Sequence, residues 1–279
     1  MPSFEVKLLS PSIGAEVTGL DLSVPLDPGT IAALREVWLE HLVLLFRRQA
    51  LSEQQLVRFA RYFGEPTIPG SARRFENQPD HDPAVMLIGN IRENGKIIGS
   101  LPDSELHFHS DSAFLDAPLM ATLLFGVDIP SCGGNTLFAN NYEAYEELPA
   151  PFAERLEDLM AVNTYDYATQ VRTGRLVRTK APFAVHPVIR THPESGRKAI
   201  YVNRLMTEEI VGLPEPETDA MLDELFALVE RRGFCYEHVW QKGDLLMWDN
   251  RCVQHARTDF PPEQRRLVKR VGLIGDRPF

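Results

Sequence analysis

The residues best placed to do chemistry stand at positions 109–111, where the chain reads His109-Ser110-Asp111. Side chains on a β-strand alternate between faces, so positions i and i+2 point into the same space. An imidazole and a carboxylate two residues apart then aim at one point, as a shared divalent cation requires. A third ligand must come from elsewhere in the fold, and His255, in WDNRCVQHA, is the candidate. Two imidazoles and one carboxylate on one face of a metal leave the other positions open, the arrangement of non-haem iron oxygenases. His-x-Asp also arises by chance. His107 stands two residues before His109, so a zinc site built from His107, His109 and a later carboxylate is an alternative. The remaining histidines, His41, His81, His186, His192 and His238, read as structural or surface residues.

Downstream of His255 come Arg266 and Arg270. Arg265 and Lys269 suit surface ion pairs, but Arg266 opens a strand running into the apolar VGLIG, where a guanidinium needs a partner. Its planar fork binds a carboxylate through two parallel hydrogen bonds, which is what a small dicarboxylate co-substrate demands. Thr136, in SCGGNTLF, adds a hydroxyl donor for the same carboxylate, while Gly133-Gly134-Asn135 reads as a hairpin turn.

The elements that must position these groups are mostly strands. FEVKLL and AEVTGLDL carry apolar residues at period two, and LVLLF (42–46) reads as a buried strand. A helix from Asp27, with Pro28 in its first turn, puts Ile31, Leu34, Val37 and Trp38 on one face. A second helix opens on a capping box, Ser52 with Gln55, and stops at Gly64. Residues 66–105, rich in Pro, Gly, Asn and Asp, are expected to form a long variable loop interrupted by a strand near Val85–Ile88. From 106 onward LHFHSDSAF, ATLLFGVDI, NTLFAN, AIYVN, FCYEHVW, DLLMWDN and LVKRVGLIG read as strands, with helices expected over 142–161 and 216–232. Many short strands between turns favour a sandwich or barrel, with the early helices covering one face. No linker divides the sequence, so one domain over 1–279 is expected.

Composition narrows the partners. Lys and Arg number 29 against 39 Asp and Glu, a formal charge of −10, which argues against nucleic acid and anionic membrane surfaces. The three cysteines, Cys132, Cys235 and Cys252, show no CxxC spacing, so free thiols in a reducing cytoplasm are expected. The N-terminal MPSFEVKLLSPSIG lacks a secretory pattern, and no run of 18 apolar residues offers a membrane span.

IGAEVTGLDLS, FHSDSAF, GGNTLFAN with AYEELP, HPVIRTHPESGRKAIYVN and GDLLMWDNRCVQHARTDFPPEQRRLVKRVGLIGDRPF together carry a resemblance. The chain resembles the TauD/TfdA family of iron(II)/2-oxoglutarate dioxygenases from about residue 4 to its C-terminus. The resemblance implies a mainly β fold with flanking helices, the double-stranded β-helix or jelly roll. It makes His109, Asp111 and His255 the iron ligands, and gives the distal carboxylate of 2-oxoglutarate to Thr136 and Arg266. Arg270 matches an arginine that faces the anionic end of the prime substrate in sulfonate-oxidising members. The implied reaction consumes O2 and 2-oxoglutarate, releases succinate and CO2, and hydroxylates a small anionic or zwitterionic substrate.

The chain departs from taurine-oxidising members around the substrate. Glu105 stands where they carry Asn, Phe108 replaces a Trp, and PTIPGSARRF lacks their loop His and Tyr. A buried carboxylate would repel a sulfonate, so Glu105 is expected to pair with a protein cation such as Arg270 or an arginine of the 66–105 loop, or to contact a cationic group of the substrate. Asn90, in the strand of the variable loop, is read as lining the substrate pocket, and Trp248 as packing near the site or in the core. A zinc hydrolase on the same ligands, or a non-catalytic jelly-roll binding module, are the rival readings. A homo-oligomer is compatible with the sequence.

Overall fold

Two sheets face each other across the centre of the molecule in the structure, a computed structural model that describes residues 4–70, 81–165 and 181–279. The larger runs β1 (Glu5–Leu8), β2 (Ala15–Thr18), β3 (Val43–Phe46), β16 (Leu245–Asp249), β8 (Ala121–Asp128), β18 (Leu267–Leu273) and β4 (Met86–Gly89) in spatial order. The smaller runs β15 (Cys235–His238), β9 (Thr136–Asn140), β17 (Val253–Arg257) and β7 (Leu106–His109). Neighbours far apart in sequence, such as β3 beside β16 and β8 beside β18, give the crossed connectivity of a jelly roll.

Period-two sequence divides the residues of the large sheet between two cores. Val43, Leu45, Leu124, Leu246, Trp248 and Val268 point inward and meet Phe138 and Val253 of the small sheet. The alternate residues Leu44, Phe46, Leu123, Phe125, Leu245, Met247 and Val271 point outward and are covered by two helices, α1 (Pro28–His41) and α2 (Glu53–Arg61). Helix α1 begins as expected: the Asp27 carboxylate accepts from Thr30 N at 3.1 Å, Pro28 occupies the first turn, and Leu34 and Trp38 are fully buried. Ile31 and Val37 are only half-buried, because the covered stripe follows Thr30, Leu34 and Trp38 at four-residue intervals. The capping box of α2 is present, with Ser52 and Gln55 exchanging hydrogen bonds of 2.8 and 3.2 Å.

Two expectations fail on local chemistry. The helix expected over 142–161 is two short ones, α3 (Asn141–Glu146) and α4 (Ala150–Glu157), followed by strand β10 (Met160–Thr164). Pro149 cannot continue a helix from Leu148 and instead starts the second one. Strand β10 lies between β11 (Phe183–Pro187) and β14 (Thr207–Ile210) in a three-stranded sheet. Among the described residues of 66–105, β4 is joined by a hairpin, β5 (Arg92–Glu93) and β6 (Lys96–Ile97), at the turn text RENGK. Residues 71–80 of that segment, with Arg73 and Arg74, lie outside the described residues. β12 (Ile189–Thr191) and β13 (Lys198–Ile200) pair beside α3, and α5 (Glu215–Val229) accounts for the helix expected over 216–232 but ends three residues short of it.

Candidate active site

His109 and His255 are cross-strand partners, directly opposed where β7 pairs with β17. Their rings stand 4.1 Å apart between centroids. Asp111 joins them, and the ligand atoms of all three lie within 4.8 Å of one another. The carboxylate does not arrive by strand alternation: β7 ends at His109, and Asp111 sits in the turn that follows, with Ser112 in the left-handed region at φ 61°. Asn250 fixes that turn. Its Oδ1 accepts from Asp111 N at 2.7 Å, and its Nδ2 donates to the carbonyls of Asp111 at 2.9 Å and Leu119 at 2.8 Å.

A β-bulge decides which histidines belong to the site. His255 faces His109 but Arg257 faces Leu106, so three steps along β7 match two along β17. The extra residue brings both Leu106 and His109 onto the cavity wall and turns His107 away. His107 is half-exposed, with its Nε2 3.9 Å from Glu105. The zinc alternative that used His107 is thereby removed.

Hydrogen bonding and burial prepare the three ligands. His109 Nδ1 lies 2.8 Å from the carbonyl of His107, which fixes its proton there and leaves the Nε2 lone pair facing Asp111 Oδ1 at 3.8 Å. Burial pushes the His109 imidazolium down against the pull of Asp111; burial and the neighbouring His109 push His255 down further, so both imidazoles are neutral. Burial alone would raise the Asp111 carboxyl, but the Arg270 guanidinium and a 2.6 Å hydrogen bond from Thr122 hold it well below its usual range. Two neutral imidazoles and one carboxylate fit a divalent metal that keeps open positions.

The three ligands open onto a cavity. Arg266 and Thr136 line it together with Arg257, Arg270, Trp248 and apolar residues of β4, β8 and β18. Arg266 is 2% exposed; its Nη2 donates to the carbonyl of Gly134 at 3.3 Å, while Nε and Nη1 have no hydrogen-bond partner among the described residues. Burial, reinforced by Arg257, brings this guanidinium down to about 9. A buried cation with two free donors in a cavity wall fits a carboxylate. Thr136 Oγ1 accepts from Trp240 Nε1 at 3.0 Å, leaving its own proton to give. Gly134 permits the close approach: a Cβ there would sit 3.0 Å from Arg266 Nε, and its φ of 64° is left-handed.

Two expected pocket residues are elsewhere. Glu105 is exposed and absent from the cavity lining, and the acid beside Arg270 is Asp111 at 2.8 Å. Asn90 also stays out of the lining: its Nδ2 donates to the carbonyls of Pro262 and Gln264, and its Oδ1 accepts from Arg266 N at 2.9 Å. Asn90 thus braces the backbone that delivers Arg266. Trp248 is both site and core, with its ring 4.6 Å from that of His255. Thr122, Asn250, Trp240 and Arg257 were not singled out from the sequence. Only Arg257 had a usable signal, standing two residues beyond His255 on one strand.

A second cluster, His192, Asp249 and Cys252, has metal-like spacing but its hydrogen bonds are already committed. His192 Nδ1 accepts from the backbone of Ser195 and Glu194, so Nε2 carries the proton toward Asp249 at 3.0 Å. Arg251 takes both oxygens of the same carboxylate at 2.8 and 2.7 Å. These groups brace the fold.

The family model described as "Taurine catabolism dioxygenase TauD, TfdA family" matches residues 5–271. The chain belongs to the TauD/TfdA family. This TauD/TfdA protein is 32% identical to an alkylsulfatase of Acinetobacter baylyi, over 98% of this chain and 85% of the relative. It is also 32% identical to an alpha-ketoglutarate-dependent sulfate ester dioxygenase of Pseudomonas putida, over 95% of this chain and 88% of that one. A solved taurine dioxygenase from Burkholderia xenovorans superposes with a TM-score of 0.82 at 33% identity, covering 99% of this chain and 93% of its own.

Proposed function

We propose that this protein is an Fe(II)- and 2-oxoglutarate-dependent dioxygenase that hydroxylates a small organic anion and releases succinate and CO2. The observation that carries the reading is one cavity with a His109–Asp111–His255 donor set and a buried guanidinium, Arg266, whose free donors suit a carboxylate. His109, Asp111 and His255 hold the metal. Arg266 and Thr136 take the distal carboxylate, orienting the 2-oxo acid toward the ligands, and the apolar walls keep water from the reacting atoms. Iron, when bound, supplies the O2 chemistry that couples decarboxylation to hydroxylation.

Arg270 supports an anionic prime substrate, since its Nε is buried without a hydrogen-bond partner among the described residues. Met86, Ile88, Leu101, Leu106 and Leu124 line the same cavity and give an apolar body a wall to pack on. An apolar anion, such as a sulfate ester or aryloxy acid, fits this pairing better than a small zwitterion. The chain acts as one catalytic domain in this reading. Its free cysteines suit a reducing cytoplasm, and its acidic balance suits small-molecule partners over nucleic acid. No helix among the described residues is long and apolar enough to cross a membrane.

The test is succinate release from 2-oxoglutarate by purified protein with Fe(II), ascorbate and O2, screened over carboxylates, sulfonates, sulfate esters and amines. Stimulation by at least one anionic compound is expected. A protein that binds Fe(II) yet releases no succinate with any compound contradicts the reading. A zinc hydrolase on the same ligands has no use for Arg266 and Thr136.

A further inference from the structure

We propose that Arg257 is a positioning residue that clamps the 101–104 strap as the outer wall of the co-substrate cavity and so sets how tightly 2-oxoglutarate is held. The inference rests on the cavity being the 2-oxoglutarate site. Arg257 ends β17, directly opposite Thr136, and lines the cavity while only 6% exposed. Its guanidinium faces backbone: Nη1 donates to Leu101 O at 2.8 Å, Nη2 to Asp103 O at 2.5 Å and Ser104 O at 2.6 Å, and Nε to Ser104 O at 3.1 Å.

The strap has the shape such a grip requires. Leu101 and Ser104 both stand in the left-handed region, at φ 48° and 67°, where a residue with a Cβ is disfavoured. These two reversals turn the carbonyls of the segment onto one point, and a buried cation with a planar fork holds them there. The result is visible in the cavity: the side chain of Leu101 forms part of its lining, while Asp103 and Ser104 face solvent. Just before the strap, Ser100 N donates to Leu87 O at 2.8 Å and Ser100 O accepts from Gly89 N at 3.0 Å, tying it to β4. Just after it, β7 leads to His109. One side chain therefore closes the span between the β4 edge and the metal-binding strand. A lysine keeps the charge but lacks the fork, so charge and clamp are separable.

The experiment compares wild type, Arg257→Ala, Arg257→Lys and Leu101→Ala. Hydrogen exchange at the Ser100 and Gly89 amides of metal-free protein reads strap docking without metal or co-substrate. Titration with 2-oxoglutarate in the presence of Mn(II), and the 2-oxoglutarate KM against kcat, read the cavity. Both Arg257 variants are expected to exchange about tenfold faster at these amides and to need about 10–100-fold more 2-oxoglutarate, the range for lost supporting contacts, with kcat largely kept. Leu101→Ala is expected to weaken 2-oxoglutarate binding with exchange unchanged. If Arg257→Ala is insoluble, the lysine and Leu101 variants carry the same readouts. Wild-type exchange in Arg257→Lys, or wild-type 2-oxoglutarate affinity in a variant whose strap has opened, overturns the proposal. Wild type that binds Mn(II) but not 2-oxoglutarate would instead sink the functional reading, and the exchange result would still judge the clamp.

Discussion

Arg270 Nη2 lies 2.8 Å from Oδ2 of Asp111, the same oxygen that Thr122 holds at 2.6 Å, while Oδ1 faces His109. The carboxylate is thus divided, with one oxygen given to protein cation and hydroxyl and the other left for metal. Both side chains are largely buried, at 17% and 13% exposure. Removing one partner of such a pair leaves an uncompensated charge and costs about 3 kcal/mol or more. Arg270→Ala should therefore lower the unfolding midpoint of metal-free protein, and Co(II) or Mn(II) should recover part of the loss by replacing the missing cation. An unchanged midpoint in the metal-free variant would show that the pair contributes nothing.

The ligand set makes a sharper distinction. His109→Ala, Asp111→Ala and His255→Ala should each abolish Fe(II) binding and succinate release. His107→Ala should retain most of both, because the bulge in β7 turns its ring from the cavity. Equilibrium binding of Co(II), followed by its visible absorption, checks this before any turnover assay. Loss of metal in His107→Ala equal to that in His109→Ala would mean the bulge does not exclude His107.

That bulge also shows where sequence reading stops. His109, Asp111 and His255 were legible because metal chemistry restricts residue types, and Arg266 because an arginine entering an apolar strand demands a partner. The layered sheets followed from short apolar runs such as LVLLF and DLLMWDN, whose alternate residues fill two different cores. His107 stays open as an alternative on sequence alone because alternation holds only along a regular strand, and one inserted residue shifts every side chain beyond it. Glu105 and Asn90 did mislead. Each was placed by its neighbours in sequence, whereas its surroundings are set by distant chain: Asn90 is spent on Pro262, Gln264 and Arg266. Trp240 could not be anticipated, since nothing local links it to Thr136, its hydrogen-bond partner more than 100 residues earlier.

Glu105→Asn consequently becomes a control. Its carboxylate is exposed and outside the cavity lining. The substitution should leave 2-oxoglutarate dependence and the ranking of anionic substrates unchanged. A gain of sulfonate turnover in this variant, measured as coupled succinate release, would return Glu105 to the substrate pocket.

Arg266 and Thr136 should separate by magnitude. Loss of a buried charged partner costs roughly 2–5 kcal/mol, so Arg266→Ala should raise the 2-oxoglutarate requirement at least about tenfold. Thr136→Ala removes a neutral donor worth about 1 kcal/mol and should raise it only a few-fold. Trp240→Phe, which frees Thr136 Oγ1 to turn, should resemble Thr136→Ala in weakened form. Co-substrate titrations of the three variants test the order, and an unchanged requirement in Arg266→Ala would remove that arginine from the site.

The acid limb of stability should be governed in part by Asp249. Its carboxylate is fully buried, gripped by both arms of Arg251 and by His192. Burial alone would raise it, but hydrogen bonds from Arg251 and His192 outweigh burial and hold it well below the ordinary carboxylate range. A group whose folded-state value is depressed contributes stability above its unfolded value, about 3.9 for Asp, and loses that contribution as pH falls below it. Asp249→Asn should therefore be destabilised by about 3 kcal/mol or more at pH 7, because Arg251 is left with only Glu194 as a charged partner. The gap to wild type should stay constant down to about pH 5 and then narrow, since below that the unfolded wild type takes up a proton at Asp249 that the folded carboxylate does not, and the Asn variant has no such proton to bind. Urea unfolding at pH 7, 5 and 3.5 measures the gap directly. A gap that widens toward low pH would mean the Asp249 carboxyl is raised in the folded state, and that burial outweighs Arg251 and the His192 hydrogen bond.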